Sequence, residues 1–181
     1  MSLRTITATL TALVAITAVG AAPAAAQDDF SRDGFFIGFG LGYGSLGIED
    51  VDDREGGISG YFSLGGKLND KVLLGVESTG WYKDESGAEL TYGNFSGFAQ
   101  IYPSETSNFF LKAGVGLATA ELDLGVLGSD SDTGLGLVAG AGIDIPLGSR
   151  FALTPYANFN YGSFDGGSAN LFQFGLGLNW Y

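Results

Sequence analysis

Glu77, Lys112 and Asp144 are the ionisable residues that fall on the small, polar faces of otherwise apolar stretches, and any chemistry of the interior has to start from them. A charge turned inward needs a partner or a cage of hydrogen bonds. Lys112 and Asp144 fall on neighbouring segments, each about four residues from a turn on the same side, so they could pair. Glu77 would complete the network, with Lys67 nearer the rim. Such a network either fills space structurally or gates a narrow conduit. Other chemistry has little to work with. The chain has no cysteine and no histidine, which removes thiolate nucleophiles, His-assisted serine or aspartate catalysis and most zinc sites. Ser63, Ser78 and Ser96 are ordinary strand serines. Gly38-x-Gly40-x-Gly42 has the glycine spacing of a phosphate loop, but it sits in a period-two stretch with no helix after it. Asp130-Ser131-Asp132 could hold Ca²⁺ or Mg²⁺ through oxygen ligands, yet the surroundings lack the EF-hand spacing and its bidentate Glu at the twelfth place. The other reading of these acids is a solvated negative surface. No catalytic, cofactor or metal residue is assigned.

The elements that must position these residues are strands. In Ala169 to Tyr181, Phe172, Phe174, Leu176, Leu178 and Trp180 alternate strictly with Gln173, Gly175, Gly177 and Asn179. That is an extended segment with one bulky apolar face and one thin face. The pattern recurs. Gly34 to Ser45 opposes Phe35, Ile37, Phe39, Leu41 and Tyr43 to four glycines. Ile58–Leu68, Lys71–Tyr82, Glu89–Tyr102, Phe109–Glu121, Gly134–Leu147 and Phe151–Tyr161 follow, giving eight strands. In the fourth the parity is ambiguous, and Phe95, Gly97, Ala99 and Ile101 are set outward, with Asn94, Ser96 and Gln100 inward. In the third, Leu73 and Trp81 fall on the polar face and weaken the alternation. Pro155 lacks a backbone donor and predicts a local defect in the ladder.

Turns are expected at Asn69-Asp70, at Pro103 to Asn108 and at Gly148-Ser149-Arg150. Longer connections are expected at Leu46 to Gly57, Lys83 to Ala88, Leu122 to Thr133 and Gly162 to Ser168, with acids concentrated in the first and third. Each strand has the ~9–11 residues that a tilted strand needs to cross a bilayer's hydrocarbon core. Short turns on one side and longer acidic loops on the other suit an outer-membrane barrel.

Which face points inward decides the class. A soluble, lipocalin-like barrel would put the bulky face at its core and charged side chains outside. Here the opposite face is glycine, serine, asparagine and threonine. A solvent-facing glycine stripe has no purpose, whereas a narrow eight-stranded lumen has room for little else. Aromatics gather toward strand ends, Phe35, Tyr102, Phe109, Phe151 and Trp180 on one side, Tyr43, Tyr82, Tyr92, Tyr161 and Phe172 on the other. They are expected to form two interfacial girdles. The bulky face is therefore assigned to outer-membrane lipid.

Residues 1–26 read as a secretory signal peptide: Arg4, then an uncharged apolar run from Ile6 to Val19, then Ala24-Ala25-Ala26 before a cut at Gln27. The run is too short to span a membrane as a helix. Residues 27–181 form the barrel domain. Glycine is 31 of 181 residues, over twice its usual share of about 7%. The net charge is −12, and losing Arg4 with the leader makes it −13. A basic footprint for nucleic acid is absent, so DNA or RNA binding is disfavoured.

The V-L-L-G-V-E run at Val72 to Glu77, the F-F-L-K-A-G-V-G-L-A run at Phe109 to Ala118 and the aromatic-ended last strand resemble the small outer-membrane β-barrels of the OmpA/OmpX type, including the opacity-like surface proteins. The resemblance covers nearly all of the mature chain. It implies an all-β, eight-stranded antiparallel up-and-down barrel in the cell outer membrane, and it offers no universal catalytic residues to carry over, so no enzyme is expected. It also implies that the last strand is read by the barrel-assembly machinery, although that signal usually ends in Phe and here Tyr181 follows Trp180. The role it suggests is structural or surface-interacting, with acidic extracellular loops that could meet divalent cations or an extracellular partner. A small passive pore is the alternative, and a soluble ligand-binding barrel a further one.

Overall fold

The computed structural model describes residues 30–85, 88–123 and 128–181. The proposed signal peptide lies outside them. The described chain forms eight strands: β1 (Phe35–Ile48), β2 (Glu55–Asn69), β3 (Val72–Glu85), β4 (Ala88–Ile101), β5 (Phe109–Asp123), β6 (Ser129–Ile143, continuing after Asp144 as Ile145–Pro146), β7 (Phe151–Phe164) and β8 (Gly167–Trp180). Each pairs antiparallel with its sequence neighbours, and β1 pairs with β8 from Ile37↔Trp180 to Ile48↔Ala169. The sheet thus closes into an up-and-down barrel with no free edge, as closure requires in lipid.

The alternation sets the faces. Phe174, Leu176 and Leu178 point outward, while Gln173, Gly177 and Asn179 are buried inside. Leu41 and Ile58 are 69% and 70% exposed. Such a belt of exposed hydrocarbon makes sense only against lipid. The inward glycines make room for inward aromatics: a Cβ on Gly40 would run into the Tyr61 ring, and one on Gly44 into the Trp81 ring. The fourth strand takes the expected parity, with Phe95 and Ile101 exposed and Asn94, Ser96 and Gln100 buried. Leu73 and Trp81, the residues that spoiled the third strand's alternation, are buried in the lumen.

Pro155 behaves as its chemistry demands. The β6–β7 ladder stops at Gly142↔Tyr156 and resumes in the same register at Ile145↔Leu153. The gap lies where Ile143 and Asp144 face Pro155 and Thr154.

The connections depart from expectation. The strands run on through most of the stretches read as loops: Leu46 pairs with Glu55, Glu85 with Ala88, Asp123 with Ser129 and Phe164 with Gly167. Backbone hydrogen bonds do not require apolar side chains, so polar composition did not end the ladders. The first turn at the opposite end is one residue later than expected, at Asp70-Lys71, after a bulge between Lys67 and Asn69. Two girdle residues are also reassigned. Tyr92 and Tyr102 share the parity of Asn94 and Gln100, and both are buried inside.

The barrel therefore has two unlike ends. Phe30 to Gly34, Tyr181 and the turns near 70, 105 and 149 form the terminal end. The four hairpin tips form the acidic end. Outward apolar residues run flush to the terminal end, as in Phe109 to Leu117 of β5, while Thr119, Glu121 and Asp123 follow toward the acidic end.

Candidate lumen network

Asp144 anchors the terminal end. It sits at the lapse in the β6–β7 ladder, and its own N–H donates to Asn108 O at 2.8 Å. Its carboxylate is fully buried and accepts from Tyr102 OH, Tyr181 OH and Thr154 Oγ1, each at 2.8 Å, and from Arg32 Nε at 3.2 Å. Asn179 Nδ2 donates to Thr154 Oγ1 at 2.8 Å, which ties β8 to the same group. Arg32 comes from the lead-in before β1. Its guanidinium also donates to Asn108 Oδ1 at 2.8 Å and lies 4.0 Å from the centre of the Tyr102 ring. A desolvated carboxylate is tolerable only with this many donors and a cation beside it. Phe36, Leu73, Phe98, Phe110 and Tyr181 pack around the network and fill the cross-section.

Glu77 and Lys112 form a second group at mid-height. Lys112 Nζ reaches both carboxylate oxygens, at 2.7 and 2.6 Å, and both side chains are buried. The ammonium also lies 5.2 Å from the Tyr61 ring centre and 5.5 Å from that of Phe98, within cation–π range. Tyr61 meets Tyr156 edge-on at 4.8 Å. Between these side chains the interior leaves a cavity of about 10 Å³, close to the room of a single water.

The Lys112–Asp144 pair that neighbouring strands allow does not form. Lys112 lies opposite Gly140, four residues from Asp144 along β6. At about 3.3 Å per residue that is roughly 13 Å along the sheet. Lys112 reaches instead past β4 to Glu77 on β3, and Asp144 takes Arg32.

Toward the acidic end the polar contacts thin out. Asn158 Nδ2 donates to Gln173 Oε1 at 3.1 Å and Trp81 Nε1 to Gly44 O at 3.1 Å. Among the described residues, Ser59 Oγ and both amide atoms of Asn160 are buried without a protein partner. Around them Leu46, Trp81, Tyr92, Ala118, Ala169 and Leu171 make an apolar plug, with Trp81 opposite Ser59 and Leu171 opposite Asn160.

The spacing argument missed Arg32, Tyr102, Thr154, Asn179 and Tyr181 as partners of Asp144. Parity alone would have found four of them, since each shares the inward face of its strand. Arg32 lies outside any periodic segment and carried no signal. No three carboxylates converge as metal ligands among the described residues. The arrangement supplies buried ion pairs and hydrogen bonds rather than a nucleophile with a base beside it.

Residues 11–179 match a family model described as an outer membrane protein beta-barrel domain. Among solved structures, Neisserial surface protein A aligns with a TM-score of 0.68 at 19% identity, covering 82% of this chain and 97% of that one. Ail, the attachment invasion locus protein of Yersinia pestis, aligns at 0.55 and 15% identity, covering 82% and 99%. Ail has also been solved in complex with the heparin analogue sucrose octasulfate. The N-terminal β-barrel domain of Pseudomonas aeruginosa OprF aligns at 0.50 and 13% identity, covering 83% and 98%. At these identities the likeness is one of fold. No curated protein matches the sequence.

Proposed function

The chain belongs to the outer-membrane β-barrel domain family, and on that premise we propose that it is a structural, surface-presenting barrel rather than a channel or an enzyme. The leader is removed before Gln27, and the closing strand with its outward Phe172, Phe174 and Trp180 is what the assembly machinery reads. The acidic end faces outward. Support for that orientation comes from the belt: nine apolar-patterned residues suffice to cross the hydrocarbon core, and the surplus length of 14- and 15-residue strands carries the acids on one side only. By sequence, that end holds thirteen acids from Glu49 to Asp165 against the bases Arg54 and Lys83.

The observation that carries the structural role is the filled interior. Two hydrophobic clusters and two buried charge groups occupy the lumen between its two mouths. Glu77, Lys112 and Asp144 serve here as interior struts. Any extracellular partner has to accept a negative surface, so a polyanion such as the one crystallised with Ail does not suit it. Planar-bilayer recordings of the purified mature chain test this reading. No steady conductance above background is expected, and a stable unitary conductance altered by Glu77→Gln would give the role to the passive pore instead.

A further inference from the structure

We propose that the acidic end holds a binding site for a small amphiphilic cation, an ammonium carried on a single ring or a short hydrocarbon chain. A cavity of about 240 Å³ opens there above the apolar plug. Its floor is the buried trio Leu46, Tyr92 and Ala169. Its rim is three exposed carboxylates: Glu49 and Asp50 at the β1 tip, and Asp132 on the inward-facing side of β6. Glu49 is held over the mouth because its N–H donates to Ser168 O at 2.9 Å across the β1–β8 seam.

This chemistry selects the occupant. An apolar floor favours a hydrocarbon body, and carboxylates around the mouth favour a positive head and repel an anion. Arg54 donates to Ser45 and Asn170 rather than to a rim carboxylate, and Lys83 pairs with Glu55. A divalent ion needs six to eight oxygens at about 2.3–2.6 Å, and no three carboxylates converge in that way among the described residues. The space is below the ~300–1,000 Å³ of sites for drug-sized ligands, which points to one ring rather than a lipid. The site goes beyond the proposed surface role. Its access from outside the cell rests on that orientation, but its existence does not.

The test uses the purified mature barrel in non-ionic detergent, titrated with 2-phenylethylammonium and with phenylacetate, the same body with opposite charge. Chemical-shift perturbation separates saturable binding from partition into micelles. Saturable binding of the amine, and none of the acid, is expected. Asp132→Asn should weaken the amine by about two- to fivefold, the range of an exposed ion pair, and raised salt should do the same to the unmutated barrel. Ala120→Phe, which fills the cavity wall, should abolish binding while the heat-modifiable gel shift shows a folded barrel. Should that variant not fold, the Asp132→Asn and salt responses decide. Equal binding of both probes, amine binding undiminished by Ala120→Phe, or saturable Ca²⁺ binding with no amine binding would each overturn the proposal. A conducting barrel that still binds the amine would sink the structural reading alone.

Discussion

At the terminal end one carboxylate, Asp144, collects three hydroxyls and a guanidinium drawn from Tyr102 just after β4, Thr154 of β7, Tyr181 after β8 and Arg32 of the lead-in before β1. At the acidic end the same cross-section is filled by Leu46, Trp81, Tyr92 and Leu171, and buried amides such as that of Asn160 lack a protein partner. The first closure is directional. Its donors converge on one carboxylate, so the network ties together the strands and the lead-in that carry them. The second closure is a matter of volume and tolerates rearrangement. The difference matches how the ends are built: the terminal end is flush with the apolar belt, whereas the acidic end projects beyond it into water.

Removing Asp144 should break the comparison hardest. Asp144→Ala leaves the Arg32 guanidinium part-buried without its carboxylate and is expected to cost about 3–5 kcal/mol, read as the free energy of urea unfolding in lipid vesicles. At the other end Leu171→Ala removes apolar volume and should cost about 2–5 kcal/mol, with little response to salt. If Leu171→Ala proves the more damaging and Asp144→Ala is mild, the directional closure is not what holds the barrel.

The mid-height pair sharpens the contrast between charge and volume. Glu77→Gln and Lys112→Met each strand one partner, while the double variant strands neither. A coupling energy of about 1–3 kcal/mol is expected from the four unfolding measurements. Strict additivity would mean that Lys112 is held by the Tyr61 and Phe98 rings rather than by Glu77.

How far these ends could be read from sequence depends on which rule each residue obeys. Alternation oriented all eight strands, because in a barrel every residue must face either lipid or lumen. Tyr92 and Tyr102 were misplaced when nearness to a strand end was allowed to outvote parity, though Asn94 and Gln100 already fixed their side. Adjacency of β5 and β6 allows a Lys112–Asp144 pair but does not fix the partner of a long side chain that can reach past β4 to Glu77 on β3. Glu55 to Gly57 and Asp130 to Thr133 looked like loops by composition, yet ladder bonds are made by backbone. Arg32 was out of reach, since its position depends on how a non-periodic lead-in folds back under the finished barrel.

Charge at the acidic end gives a smaller effect. Thirteen acids against two bases repel one another, so Asp52→Asn with Asp53→Asn should stabilise the barrel by no more than about 0.5 kcal/mol. The gain should be largest at low ionic strength and vanish as salt shortens the Debye length. A loss of stability instead would show that one of these carboxylates makes a specific contact.

The smallest effect lies at the terminal end, where Asp33 leads into β1. The Lys67 ammonium donates to its carboxylate at 2.6 Å and holds its pKa below the usual Asp value, with Ser31 Oγ adding a second hydrogen bond. The sign follows from the lowered pKa. Protonation is harder in the folded state, so the contribution is fully present above the unfolded Asp value of about 3.9 and is lost as pH falls through the folded one. Both side chains are open to solvent, so the effect is screened and modest. Asp33→Asn should therefore lower the melting temperature slightly at neutral pH, and the two curves should converge as the medium is made more acid. A difference that persists once Asp33 is protonated in both states would assign its role to the backbone of the lead-in, where Gly34 O accepts from Lys67 N, and not to its charge.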